Sequence, residues 1–159
     1  MSFPALEAIE KLRELRERSA LVELESSNRA RDIADARADR FEAHLQVRSD
    51  AVKNEQARIY GELIDRQITS NELDDIHARV ESKNADLRDL AEKAGQAKVE
   101  AETAGEKAEA ARFRHMRLFK AQQKWAALMN RESQRLDRAE AERDDLVIED
   151  SFHPTRTRW

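Results

Sequence analysis

The sequence predicts an all-α fold: a long two-helix antiparallel coiled-coil hairpin with a short turn near residues 61–69. Three observations carry this. Charged residues make up 39% of the 159-residue chain, aromatic residues 5% and hydrophobic residues, many of them alanine, 40%, which suits a thin apolar seam better than a globular core. Three glycines and two prolines are too few for a loop-rich or β-rich fold, while the strong helix formers Ala, Glu, Arg, Leu and Lys dominate. Apolar residues also recur every seven positions over most of the chain, the mark of a left-handed supercoil.

The elements follow in order. Pro4 suits the first turn of a helix and Pro154 lies beyond the last periodic residue, so the prolines bracket the helical region. The first helix is expected over about 4–64. Its heptads read Ala38, Leu45, Val52 and Ile59, with Ala34 and Phe41 alongside, and nearer the start Leu6, Ile9, Leu12 and Leu15. Gly61 is placed to end or fray it. Then Ile68-Thr69-Ser70-Asn71-Glu72-Leu73 has the form of a capping box with a hydrophobic staple, Thr69 as N-cap and Ile68 packing on Leu73. A connection this short makes the helices antiparallel neighbours.

The second helix is expected over about 70–148. One heptad row runs Leu73, Val80, Leu87, Ala94, Ala101, Ala108, His115, Gln122, Met129 and Leu136; the other runs Ile76, Lys83, Leu90, Ala97, Ala104, Ala111, Leu118, Trp125, Glu132, Ala139 and Leu146. Folding the chain at about residue 67 pairs position x with roughly 135 minus x. That sets the alanines from 94 to 111 against Ser26, Ala30, Ala34 and Phe41, so the middle should approach closely. At the open end Leu6, Ile9 and Leu12 should face Trp125, Leu128 and Met129, and near the turn Val52, Ile59 and Leu63 should face Leu73, Ile76 and Val80. At 1.5 Å per residue the first helix would be roughly 90 Å long, with the second overhanging it by several turns. Residues 1–150 thus read as one hairpin, and Ser151 to Trp159 as a flexible tail.

Composition narrows the function classes. The net charge is −4, from 29 basic and 33 acidic side chains that are interspersed, so no broad basic face for nucleic acid is expected. With no cysteine, disulfides, thiol chemistry and cysteine zinc sites are excluded, in keeping with a cytoplasmic location. No apolar run approaches the length that spans a bilayer, and no signal peptide is visible in residues 1–20. His44, His77, His115 and His153 are scattered without partners at ligand spacing, so no metal is expected. Carboxylate pairs such as Asp74-Asp75 and Asp144-Asp145 have no cavity to desolvate them in a two-stranded coil, and Gly61, Gly95 and Gly105 stand alone rather than in a phosphate loop. No catalytic residue and no cofactor follow from this, and the reading is not an enzyme.

Three surface features remain. From Arg112 to Arg131 the bases Arg112, Arg114, Arg117, Lys120, Lys124 and Arg131 run without an acid. Pairing with Glu7, Glu10, Glu14 and Glu17 across the seam is the plainer expectation, a docking surface the sharper one. Beyond it, the acidic stretch from Glu140 to Asp150 carries Leu146-Val147-Ile148 with no first-helix residue opposite, which points to a partner. Around the turn, Ile59, Tyr60, Leu63, Ile64, Ile68, Leu73 and Ile76 exceed what one seam can bury; they either cap the turn or meet another protein.

The two ends resemble the YscO and FliJ family of central stalk proteins in type III secretion and flagellar export. Leu6-x-x-Ile9-x-x-Leu12-Arg13-x-x-Arg16 is similar to the family's opening, and Lys124-Trp125-x-x-Leu128-Met129-x-Arg131-Glu132 to its lysine, aromatic, leucine, arginine-glutamate run, followed in both by an acidic stretch. The resemblance implies a non-catalytic, monomeric rod, cytoplasmic and peripheral to the secretion apparatus at the inner membrane. Its open end would sit in the hexameric secretion ATPase through Leu6, Ile9, Arg13, Arg16, Lys124, Trp125, Arg131 and Glu132, and its turn end would meet the export gate, a membrane protein, through Tyr60, Leu63, Ile64 and Ile76. It further implies binding of export chaperones, without membrane insertion. The tail bearing Arg156, Arg158 and Trp159 does not match the family pattern. The alternative is a dimeric coiled-coil scaffold or membrane-associated helical module, suggested by seam charges at Arg31, Arg48 and Glu55.

Overall fold

A computed structural model describes residues 3–151. It contains two helices, α1 (Phe3–Leu63) and α2 (Ser70–Ser151), packed against each other as a helical hairpin, with no strand among the described residues. α2 thus continues to Ser151, and residues 152–159 of the expected tail lie outside the described residues. No described helix is long and apolar enough to cross a membrane.

The start of α2 is made by the capping box. The Glu72 amide donates to Thr69 Oγ1 at 3.3 Å, and the Thr69 amide donates to Glu72 Oε2 at 3.1 Å, so two otherwise orphaned donors satisfy each other's residues. The first intrahelical bond, Leu73 N–H to the Thr69 carbonyl, follows at 3.1 Å. At the expected staple, Leu73 stays 40% exposed. Ile68 lines a shallow cavity with Leu63 and Ile76. Thr69→Ala should cost about 1 kcal/mol of helix stability, the usual loss of an N-cap hydroxyl, read as a lower denaturant midpoint; an unchanged midpoint would mean that the box contributes nothing.

The chain forms two compact units. The turn unit is Glu23–Arg112, and the terminal unit is Met1–Val22 with Phe113–Trp159. In the turn unit Arg37 meets Glu100, Glu55 meets Lys83, and Gln56 donates to Asn84. In the terminal unit Glu17 meets His115 and Arg13 lies over Trp125. α2 numbers fall as α1 numbers rise, so the helices are antiparallel, and the paired numbers sum to between 132 and 140, around the 135 expected.

The buried residues among those described are Ala20, Val52, Ala97, Ala101, Ala108 and Ala111. Alanine is therefore the core. A methyl group on a helix surface is covered to this degree only when the facing helix comes close, so small residues are what allow this seam to be dry. Both heptad rows of α2 face inward as expected from Ile76 to Glu132.

α1 corrects the sequence at its start. Leu6 and Ile9 are half-buried as expected, but Leu12 and Leu15 are 47% and 62% exposed, and the other inward positions are Glu10, Arg13, Glu14, Glu17 and Ala20. The reason is register. Counting back by sevens from Ala38 and Ala34 reaches Leu24, Glu17 and Glu10 on one row and Ala20, Arg13 and Leu6 on the other, and an unbroken helix cannot rotate its leucines inward without an inserted stutter.

Candidate docking surfaces

Among the described residues no group of three His, Cys, Asp or Glu is placed to hold a metal ion. His44 and His77 are exposed, as are Asp74, Asp75, Asp144 and Asp145; His153 lies outside the described residues. The candidate sites are surfaces.

In the terminal unit, Arg13 projects from α1 so that its guanidinium carbon lies 4.9 Å from the Trp125 ring centroid, a cation–π contact. Trp125 is half-buried, and its indole Nε1 is buried without an acceptor. Beside this pair, Ile9, Leu12, Arg13, Arg16, Leu118 and Ala121 line a shallow groove of about 170 Å³. Of the residues expected at the ATPase, Leu6, Ile9, Arg13, Trp125 and Glu132 are half-buried, and Arg16, Lys124 and Arg131 are exposed. Arg13 and Trp125 are in direct contact, and Ile9 and Arg16 adjoin them in the groove. Lys124 and Arg131, seven apart on α2, share one stripe with Arg117.

The expected pairing of the basic run with the first-helix glutamates is mostly not made. Glu17 Oε1 takes the Nε2 of His115 at 2.8 Å, with both side chains about four-fifths covered, and the His115 ring stacks on Phe119 with centroids 6.0 Å apart. Arg112 turns to Glu109 on its own helix at 3.8 Å. Among the described residues, Arg117, Lys120, Lys124 and Arg131 make no ion pair, nor do Glu7, Glu10 and Glu14. Leu128, expected to face the first helix, is instead 56% exposed, and sequence reading missed exposed Phe113 at 63% and Phe119 at 40% within this run. Their spacing off the heptad rows was the available signal.

Near the turn the residues expected at the export gate divide. Leu63 and Ile76 close the turn with Ile68, whereas Tyr60 and Ile64 are exposed, Ile64 to 80%. The capping reading thus holds for Leu63, Ile68 and Ile76, and Tyr60 and Ile64 stay uncovered.

The seam charges of α1 find partners within the chain. Arg31 pairs with the neighbouring Asp32 at 3.0 Å. Glu55 pairs with Lys83. The hydrogen bond from Lys83 holds the Glu55 carboxyl below its ordinary value of 4.5 against the opposing effect of burial, and the charges of Lys83, Arg58 and Arg48 add to the lowering. A depressed carboxylate contributes stability that is complete above its unfolded-state pKa and is lost as pH falls through the folded one. Here that window lies below pH 4.5. Titrating Glu55 by NMR should give a midpoint under the ordinary value, and Lys83→Met should raise it back; a midpoint unmoved by that change would contradict the pairing.

No family model, no curated protein and no solved structure matches this chain.

Proposed function

We propose that this chain is the non-catalytic central stalk of a type III secretion or flagellar export apparatus. The terminal unit docks into the hexameric secretion ATPase, and the turn, led by Tyr60 and Ile64, meets the cytoplasmic part of the export gate; export chaperones are further partners. What supports the reading, besides the resemblance of the two ends, is the terminal surface: Arg13 on Trp125, Ile9 and Arg16 in the adjoining groove, and exposed Lys124 and Arg131. These cations have no ion partner among the described residues, and cations beside exposed apolar area suit a docking face.

The test is direct. Adding the purified chain to the secretion ATPase should raise ATP turnover or hexamer formation, and Lys124→Glu with Arg131→Glu should abolish the effect while helicity is unchanged. No response across a concentration series would overturn the reading. The scaffold or membrane alternative drew on Arg31, Arg48 and Glu55; Arg31 pairs with Asp32 and Glu55 with Lys83, and Arg48 is exposed, which gives that alternative less support.

A further inference from the structure

From Gln134 to Glu149 every residue of α2 is exposed. This stretch keeps the apolar pattern of a helix made to be covered: Leu136 is 41% exposed, Leu146 62%, Val147 67% and Ile148 54%. It is also strongly acidic, with seven acids against two bases between 137 and 150. A single helix of this length is marginal in water without a packed face, and three consecutive apolar residues at its end enlarge the uncovered area.

The complementary chemistry stands earlier on the same helix. Between Ala110 and Arg131 there are six bases and no acid. Arg117, Lys120, Lys124 and Arg131 have no ion partner among the described residues, and exposed Phe113, Phe119 and Leu128 lie among them. One molecule cannot join the two, because Lys120 and Asp145 are on one continuous helix, roughly 38 Å apart along its axis at 1.5 Å per residue.

We propose that two copies of this chain pair through these segments, each acidic overhang seated on the basic, apolar-flanked face of the other. Antiparallel approach about a two-fold axis makes both contacts at once, since each copy presents both segments. Segment charge favours it, not single pairs: Arg131 and Arg138 stand on the same stripe as Lys124 and Asp145, so the attraction is that of a segment with seven acids and two bases for one with six bases and no acid. The pairing stands on charge and apolar pattern and does not rest on the export reading. It departs from the monomer that the resemblance implies, and it covers Lys124 and Arg131, so the dimer would be a form that excludes the ATPase.

Sedimentation of the full chain measures it. The expected result is a dimer at about 0.05 M salt that dissociates at about 1 M, where screening reaches contact distance. Leu146→Ala with Ile148→Ala should weaken association at least about tenfold. Lys120→Glu with Lys124→Glu should do the same, as should Asp144→Lys with Asp145→Lys; combining both charge reversals in one chain should restore the dimer. All six positions are exposed, and circular dichroism checks that helicity is kept. A chain that stays monomeric at every concentration in low salt, a dimer indifferent to these changes, or combined reversals that fail to restore it would overturn the proposal. ATPase stimulation is a separate readout, so either idea can fail while the other stands.

Discussion

Replacing Trp125 by alanine should destabilise the hairpin by about 2 kcal/mol, and replacing it by phenylalanine should cost almost nothing. Truncating a fully buried tryptophan typically costs about 3–5 kcal/mol. Trp125 is half-buried, which puts it at or below the lower end of that range, and the lost cation–π contact with Arg13 adds some tenths to about 1 kcal/mol. Against this, the indole N–H is buried without an acceptor. An unsatisfied donor of that kind costs about 1–3 kcal/mol, and alanine and phenylalanine both remove it. Phenylalanine keeps much of the ring's area, so its loss of packing and its relief of the orphan donor nearly cancel. The measurement is a denaturant midpoint followed by circular dichroism. An alanine variant as stable as the parent would mean that Trp125 is an exposed docking residue, as its place in the resemblance suggests, and not a seam residue. The same result bears on assays of partners: with an unstable Trp125→Ala chain, lost binding would say little, and the exposed Lys124 and Arg131 are the positions on which to test docking.

The two helices differ in how far their packing could be read from sequence. In α2 the heptad rows carry alanine or larger apolar residues at most positions, and counting by sevens from Leu73 or Ile76 found the inward face as far as Glu132. In α1 the strongest apolar residues near the start are off the rows. Leu12 and Leu15 attract the eye, yet Arg13 and Glu17 hold the seam positions, because register propagates along an unbroken helix and outweighs the burial preference of any two leucines. Leu12 is then free to line the groove with Ile9 and Arg16. This candidate surface was legible as a set of residues but not as a geometry: the contact of Arg13 with Trp125 depends on the register that the leucines disguised. Ion pairing was the least legible part. Charges four or seven apart offer many partners of similar energy, each worth less than about 1 kcal/mol at a surface, and nothing in the sequence chooses Glu109 for Arg112 or leaves Arg117 without an ion pair among the described residues.

The alanine seam of the turn unit gives the second large effect, and its sign is opposite to what a heptad rule alone would give. Ala101 and Ala108 sit on a row where a coiled coil ordinarily takes leucine, and by that rule leucine there would strengthen the hairpin. Instead, Ala101→Leu and Ala108→Leu should each destabilise it by about 1–3 kcal/mol, the cost of overpacking a filled site. Ala108 is 3% exposed and Ala101 9%, with the neighbouring Ala97 and Ala111 at 3% and 5%. Three extra carbons at Ala108 have nowhere to go unless the helices separate, which would uncover these neighbours as well, whereas at Ala101 part of them can enter the adjoining groove lined by Ala38, Leu45 and Ala94, so the loss there falls at the low end of the range. A control lies on the same stretch of α2. At Gly95 and Gly105 an added methyl group meets nothing within 4 Å, so Gly95→Ala and Gly105→Ala should each stabilise by roughly 0.8–1 kcal/mol through helix propensity alone. Denaturant midpoints of the four variants therefore separate two explanations. If leucine at the seam destabilises and alanine at the glycines stabilises, close approach is what the alanines provide. If all four stabilise, the alanines are merely helix formers, the helices have room between them, and the seam described here is wrong in its central feature.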